Sequence, residues 1–303
     1  MTRLRILTLV LALILASPLS AIAQTVEELV KRGVEAGNRN NHAQAEQIFR
    51  RVIRQEPGDF RGYYGLGLSL AQQGDFEGAI ANFERAIALN PNYALAYNNL
   101  GIALAEQGNY EEAISYFKSA LKLVPNDARM YYNLGLALAR QERLDEAIAN
   151  YREALKLNPN DVKTYYNLGL TLARQENYRE AIANYERAIE LNPSYDGAYY
   201  HLGLALYEMG EMEEAIANLE MAVKLNPNNN LAYYNLGVLL SQMGELEGAI
   251  AQFKEVIKLD PDNAEAHYNL GILLYETGQE EAAREQLEIA NQLDPSLEFS
   301  SDR

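Results

Sequence analysis

The chain has 303 residues, contains no cysteine and carries a formal net charge of −16 at pH 7. The negative charge argues against nucleic acid as a partner, whose phosphates would be repelled, and against docking on anionic lipid. Without cysteine there is no disulfide, thiolate nucleophile or zinc–thiolate site. These properties exclude classes of function but leave the fold open.

The first residues predict export. Arg3 and Arg5 precede an apolar run over residues 6–16, and Ala21, Ile22 and Ala23 form a small-x-small cleavage site. This is the pattern of a signal peptide over residues 1–23. The apolar run is shorter than the ~20 residues that span a bilayer. We therefore expect an exported protein (periplasm, secreted or equivalent lumen) that is not inserted in a membrane after cleavage. The alternative is a membrane anchor formed by an uncleaved segment 6–23.

The rest of the chain repeats with a period of 34 residues. We number slots 1–34 in each repeat, so that Gly33 is slot 8, Ala45 slot 20 and Pro57 slot 32, and all three recur in every repeat. Eight repeats begin at residues 26, 60, 94, 128, 162, 196, 230 and 264. A fixed period of this size is typical of a solenoid. We predict one repeat domain over residues 24–297, followed by a short tail at 298–303.

Each repeat predicts two helices, A and B. In the fifth repeat, Tyr165 and Leu168 recur at helical spacing, as do Ala181 and Tyr185 after a polar break at residues 175–177. Proline at slot 32 ends helix B because it cannot continue the hydrogen-bond ladder. Slot 15 is glycine in four of the six internal repeats, where a helix end needs positive φ: Gly74, Gly108, Gly210 and Gly244. The fold class is therefore all-α.

The slots divide helix A into two faces. At 100° per residue, slots 4, 7, 8 and 11 lie together and are small or apolar, so we expect them in the core. Slots 2, 6, 9 and 13 lie on the other side and should form a binding face. Small residues at slots 8, 20 and 27 should let helices A and B approach closely, with an aromatic residue at slot 24 filling the space.

The pattern Tyr-x-x-Leu-Gly, then Ala, then aromatic-x-x-Ala, then Pro resembles the tetratricopeptide repeat family. The resemblance implies an α-solenoid of antiparallel helix pairs in a right-handed superhelix, with the A helices lining a concave groove. The ends depart from the pattern as solenoid caps do: slot 21, Ile in the six internal repeats, is Glu46 in the first and Arg284 in the last, and slot 7 of the first is Arg32. We expect no separate catalytic domain.

Two rows of polar side chains are the candidate peptide-binding residues. Slot 6 carries Asn99, Asn133, Asn167, Asn235 and Asn269, with His201 in the sixth repeat. Slot 5 carries Tyr132, Tyr166, Tyr200 and Tyr234, with Tyr64 and Tyr268 beyond them. An amide offers a donor and an acceptor to a peptide unit, and the row resembles the asparagine ladder of O-linked N-acetylglucosamine transferases. The alternative interpretation is that these amides hold the neighbouring helix.

Basic residues on the same face predict a preference for acidic segments. Slots 2 and 13 of the fourth and fifth repeats carry Arg129, Arg140, Lys163 and Arg174. The alternative is ordinary solvated charge. Some family members clamp a terminal carboxylate with Lys at slot 5 and Asn at slot 9, but slot 9 is aliphatic here, as at Leu136 and Leu170. A chaperone-tail receptor is therefore not predicted.

Catalysis has little support in the sequence. His42, His201 and His267 fall at three different slots, and we find no nucleophile–base pair. We expect no enzyme, cofactor or metal. The sequence predicts a non-catalytic scaffold for other proteins, held as extended segments. One alternative is an accessory subunit that presents substrates to a separate glycosyltransferase or secretion machinery. Another is a self-associating structural protein, and the oligomeric state stays open.

Overall fold

The structure, a computed structural model, describes residues 25–297. The predicted signal peptide and the tail at 298–303 lie outside the described residues. Between these limits the chain forms sixteen α-helices and no strand. It divides into two compact units, Met1–Gln141 and Glu142–Arg303, so the boundary falls inside the fourth repeat. Each unit is a succession of antiparallel helices in which odd-numbered helices are A and even-numbered helices are B.

The first unit contains seven described helices. They are α1 (Val26–Asn38), α2 (His42–Gln55), α3 (Phe60–Gln72), α4 (Phe76–Leu89), α5 (Ala94–Glu106), α6 (Tyr110–Leu123) and α7 (Ala128–Arg140). Each packs against the helices before and after it in the unit.

The second unit contains nine described helices and begins with the B helix of the fourth repeat. They are α8 (Leu144–Leu157), α9 (Val162–Arg174), α10 (Tyr178–Leu191), α11 (Asp196–Glu208), α12 (Met212–Leu225), α13 (Asn230–Gln242), α14 (Leu246–Leu259), α15 (Ala264–Glu276) and α16 (Glu280–Leu293). Here too, successive helices pack side by side.

Local chemistry sets where these helices begin and end. Slot 34 caps helix A where it is Asp or Asn, as when Asp161 accepts a hydrogen bond from the Thr164 backbone N–H. The predicted positive φ at slot 15 is confirmed, for example 83° at Gly74. In the three repeats without glycine there, φ is still positive, at Asn40, Glu142 and Glu176. The turn between helices A and B is therefore kept even where a Cβ makes it less favourable.

The predicted close contact of helices A and B is confirmed. A Cβ on Gly67 would lie 2.7 Å from the Phe83 ring, and one on Gly169 would lie 2.6 Å from the Tyr185 ring. Ala181 is fully buried beside this contact. In these two repeats the glycine at slot 8 is therefore required by the aromatic ring at slot 24 of the same repeat.

The predicted core face of helix A was partly wrong. Slots 3 and 10 are buried with slots 7, 8 and 11, whereas the tyrosines at slot 4 are only half-buried. The reason is that helix A also packs against helix B of the preceding repeat: Met130, at slot 3, clusters with Ala120 of the repeat before. Slot 4 turns instead toward its own helix B, where Tyr97 lies 6.4 Å from Tyr116 between ring centroids.

The interpretation of the terminal repeats as caps also needs a correction. Arg32 and Arg284 are exposed, as a polar end requires. Glu46, however, does not lie on an outer end. It accepts a hydrogen bond from Gln73 of the second repeat at 3.0 Å and pairs with Arg50 at 2.8 Å. Slot 21 of the first repeat faces its neighbour, so Glu46 replaces an apolar contact with a polar one.

Candidate functional site

The slot-6 asparagines are tied to the slot-5 tyrosines of the preceding repeat. In each of three repeats the amide nitrogen, Nδ2, donates to a tyrosine hydroxyl that lies 35 residues earlier in the chain. The bonds are Asn99 to Tyr64 at 2.9 Å, Asn235 to Tyr200 at 3.1 Å and Asn269 to Tyr234 at 3.2 Å. These amides therefore link successive A helices, which is the role that the alternative interpretation gave them.

Two other slot-6 asparagines also donate hydrogen bonds. Asn133 donates to the buried side-chain oxygen of Asn98 at 3.0 Å, because slot 5 of the third repeat is Asn instead of Tyr. Asn167 donates to the carbonyl of Lys163 in its own helix at 2.8 Å. The third and fourth repeats are therefore linked by two amides.

The acceptor side of the amides is available. Asn99 and Asn235 use both amide hydrogens, since each also donates to the backbone carbonyl four residues earlier at 2.9 Å. No donor within residues 25–297 bonds Oδ1 of Asn99, Asn235 or Asn269, and all three side chains are partly exposed. The sequence predicted that these amides would offer both a donor and an acceptor to a peptide unit. Since the amide hydrogens of Asn99 and Asn235 are already used, these side chains offer only the oxygen, as an acceptor for a backbone N–H.

The slot-5 tyrosines are packed against other aromatic rings. Tyr64 lies 4.9 Å from Tyr93, and Tyr166 lies 4.8 Å from Tyr195, between ring centroids. Burial raises the pKa of Tyr166 to about 12 and also raises the pKa of Tyr64. These hydroxyls therefore stay neutral hydrogen-bonding groups at physiological pH. Tyr132 and Tyr234 are likewise only partly exposed.

His201 takes the place of the amide in the sixth repeat. Its ring lies 4.9 Å from Tyr200, 5.7 Å from Tyr166 and 6.1 Å from Tyr185, between centroids. The Tyr185 ring is nearly parallel to it, with an interplanar angle of 25°. Burial lowers the pKa of His201 to about 4, because the surrounding rings replace the water that would solvate the charge. The imidazole is therefore neutral at pH 7.

The four candidate basic residues differ in their partners. Arg129 forms an ion pair with Asp127 at 2.7 Å, although the Arg129 side chain is 78% exposed. Arg174 forms an ion pair with Glu142. Arg140 and Lys163 are exposed and make no ion pair with any described residue. Arg129 and Arg140 belong to the first unit, and Lys163 and Arg174 to the second. Two of the four charges are thus already balanced locally.

An open cavity marks this face in the first unit. Its volume is about 320 Å³, and Ile102, Asn133 and Leu136 lie in its lining with Glu106 and Arg140 at slot 13. Slots 6, 9 and 13 of neighbouring A helices therefore meet in one recess.

Residues 25–297 contain no group of three or more His, Cys, Asp or Glu side chains placed to hold a metal ion. Among the described helices, none combines the length and apolar character needed to cross a membrane.

Comparison with known proteins agrees with the geometry. A family model described as a tetratricopeptide repeat matches residues 30–94, 64–128, 98–162 and 166–230. The chain belongs to the tetratricopeptide repeat family. Further models of the same repeat match residues 218–251, 240–278 and 264–297. The search of the curated proteins gave no match.

Several solved structures are similar. YrrB, described as a tetratricopeptide repeat protein with an unusual peptide-binding site, is 31% identical, with 59% of this chain and 92% of that chain covered and a TM-score of 0.54. MamA from Desulfovibrio magneticus RS-1 is 27% identical over 58% of this chain and 99% of its own, with a TM-score of 0.53. The C-terminal part of a repeat protein from Cytophaga hutchinsonii, 17% identical, covers 80% of this chain and 99% of its own with a TM-score of 0.66, and shows the fold alone.

These relatives define the general role. Tetratricopeptide repeat proteins generally bind other proteins or peptides and are generally non-catalytic scaffolds. The family and its neighbours therefore support a protein–protein interaction scaffold.

Proposed function

We propose that this protein is an exported, non-catalytic scaffold that binds an extended segment of a partner protein along the faces of its A helices. The observation that carries the proposal is the set of slot-6 amide oxygens of Asn99, Asn235 and Asn269, each partly exposed and without a donor among the described residues. The signal-peptide pattern of residues 1–23 supports the exported setting. By family resemblance, the assembly of envelope or membrane complexes would be such a setting.

The tyrosines prepare the amides for binding. Each hydroxyl fixes the orientation of the next repeat's amide, so a partner N–H meets an acceptor that is already positioned. Preorganisation lowers the loss of side-chain entropy on binding. The hydrogen bonds between repeats therefore hold the amides in the orientation that the proposed contacts with a partner require.

The neighbouring slots supply the rest of the contact. Slot 9 is aliphatic and half-exposed, as at Leu136, Leu170 and Leu204, and offers apolar area to side chains of any sequence. Arg140 and Lys163 would favour acidic residues in the partner. We expect such a surface to bind backbone with little sequence preference and to select by charge.

Two matched triple variants test the role of the amides. Asn99, Asn235 and Asn269 are changed to Ala in one, and Tyr64, Tyr200 and Tyr234 are changed to Phe in the other. Both remove the same three bonds between repeats, but only the first removes the amide oxygens. Each variant of residues 24–303 carries a photo-crosslinking residue at Leu170, and the cross-linked partners from the exported fraction of the source organism are quantified by mass spectrometry.

The proposal predicts that the Tyr→Phe variant retains most partner capture and that the Asn→Ala variant loses it by about tenfold. Circular dichroism and urea unfolding must first show that the two variants are equally helical and stable. Equal capture by the two variants and the parent would show that the amides serve only to connect repeats, and the proposed binding face would then be wrong.

A further inference from the structure

The first two repeats enclose a cavity larger than the one between the third and fourth. Its volume is about 550 Å³, against about 320 Å³ for the other. Val30, Val34 and Leu68 lie in its wall beside the Phe49 ring, and Gly37 and Gly65 lie in the same lining. Slots 9 and 13 of both repeats border it, so it belongs to the same helix faces as the proposed partner site.

The extra space comes from three departures from the repeat. Slot 6 is Gly65 where five later repeats have Asn, and slot 5 is Val30 where most have Tyr. Slot 12 is Gly37, whereas the corresponding residue in the smaller cavity is Ala105. Each departure removes side-chain volume from one recess of the face. Gly65 has a packing reason of its own, since a Cβ there would lie 2.3 Å from Phe49, but a Cβ on Gly37 would meet nothing within 4 Å.

The cavity is suited to a neutral apolar group. Val34 is 50% exposed in the wall of the cavity, so it presents apolar area to an occupant. The cation in the lining, Arg61, bonds Asp59 at 2.7 Å and Glu27 at 2.6 Å, so its charge is already balanced. An occupant therefore gains from apolar contact and not from charge.

We infer that this cavity holds one aromatic or large aliphatic side chain of the partner segment. The inference rests on the proposed function and adds an anchor residue to it. A segment that lies along slots 9 and 13 passes over the opening, and one side chain can enter while its backbone stays on the face. Buried aromatic anchors of this kind contribute most of the affinity in many interfaces.

A fluorescence titration tests the anchor directly. The chain contains no tryptophan, so the peptide acetyl-Ala-Ala-Trp-Ala-Ala-amide is the only indole present. Residues 24–303 should bind this peptide with a blue shift of its emission. An excess of the same peptide with Trp replaced by Ala should not displace it. Gly37→Leu should weaken binding by at least tenfold by filling the cavity.

Two variants keep the test specific. Gly37 lies within α1, where leucine has the better helix propensity, so the variant should remain folded and its unfolding midpoint should not fall. Gly58→Leu makes the same change at an exposed turn where a Cβ also meets nothing within 4 Å, and it should bind like the parent. No binding by the parent, or equal binding by Gly37→Leu, overturns the inference.

The remaining outcomes separate this inference from the proposed function. The triple Asn→Ala variant changes no residue of this cavity's lining, so it should still bind the tryptophan peptide even if it loses its partners. Binding of N-acetyltryptophanamide as tightly as the peptide would show a small-molecule site and would overturn the assignment to a partner segment.

Discussion

In two regions of the molecule, three equivalent aromatic residues surround different slot-6 residues. In the second and third repeats, Tyr64, Phe83 and Tyr93 surround a contact with Asn99. In the fifth and sixth, the equivalent residues Tyr166, Tyr185 and Tyr195 surround His201. The amide makes a hydrogen bond to the tyrosine, whereas the imidazole packs as a ring. One repeat geometry thus accepts either a polar link or an aromatic one, and the two should respond differently to pH.

Removal of the slot-24 ring should have the largest effect and should be alike in both regions. Phe83 and Tyr185 are almost completely buried against a slot-8 glycine. Phe83→Ala or Tyr185→Ala should each lower the free energy of unfolding by about 3–5 kcal/mol through the cavity left behind. Urea unfolding followed by circular dichroism measures this. A loss below about 1 kcal/mol in either region would mean that the ring does not hold helices A and B together there.

Acidification should destabilise the region around His201 but not the equivalent contact around Asn99. The pKa of His201 is about 4 in the folded protein and about 6.5 in the unfolded chain. The unfolded chain therefore takes up the proton first, so the stabilisation from neutral His201 is complete above pH 6.5 and is lost as the pH falls toward 4. At 1.36 kcal/mol per pKa unit, the loss is up to about 3 kcal/mol.

His201→Asn should remove this loss and restore the amide. Its Nδ2 should donate to the Tyr166 hydroxyl, as Asn99 does to Tyr64. Urea unfolding at pH 7 and pH 4.5, with Asn99→Gln as the control in the other region, gives the comparison. If the free energy of unfolding of His201→Asn falls between pH 7 and pH 4.5 by as much as that of the parent, the pH dependence arises from carboxylates elsewhere and not from His201.

The sequence predicted the helices of each repeat but not the hydrogen bonds between them. Eight copies of each slot made the helices, the slot-15 turns and the glycine-to-aromatic contact predictable, because most copies carry the same residue type at these positions. The burial of slots 3 and 10 was missed because most repeats carry small or hydroxyl residues there, such as Ala96 and Thr171, which give little hydrophobic signal. The Asn99–Tyr64 bond depends on how successive A helices superpose, although the joint recurrence of Tyr at slot 5 and Asn at slot 6 was a usable sign.

A single oxygen atom distinguishes the two slot-24 rings. The buried hydroxyl of Tyr185 has no hydrogen-bond partner among the described residues, and Phe83 has no hydroxyl at the equivalent place. Tyr185→Phe should therefore raise the free energy of unfolding by about 1 kcal/mol, and Phe83→Tyr should lower it by a similar amount. Thermal and urea unfolding measure both changes. Destabilisation by Tyr185→Phe would reveal a partner for this hydroxyl.

The smallest expected effect is that of the amide link itself. A neutral hydrogen bond contributes a net ~0.5–1.5 kcal/mol, and the Asn99–Tyr64 bond is partly exposed. A double-mutant cycle of Asn99→Ala and Tyr64→Phe should give a coupling energy within that range. In the histidine region, the cycle of His201→Ala and Tyr166→Phe should give a coupling near zero, because ring contact with Tyr166 does not need its hydroxyl. Equal coupling in both would mean that the imidazole also bonds this hydroxyl and that the two regions use one kind of link.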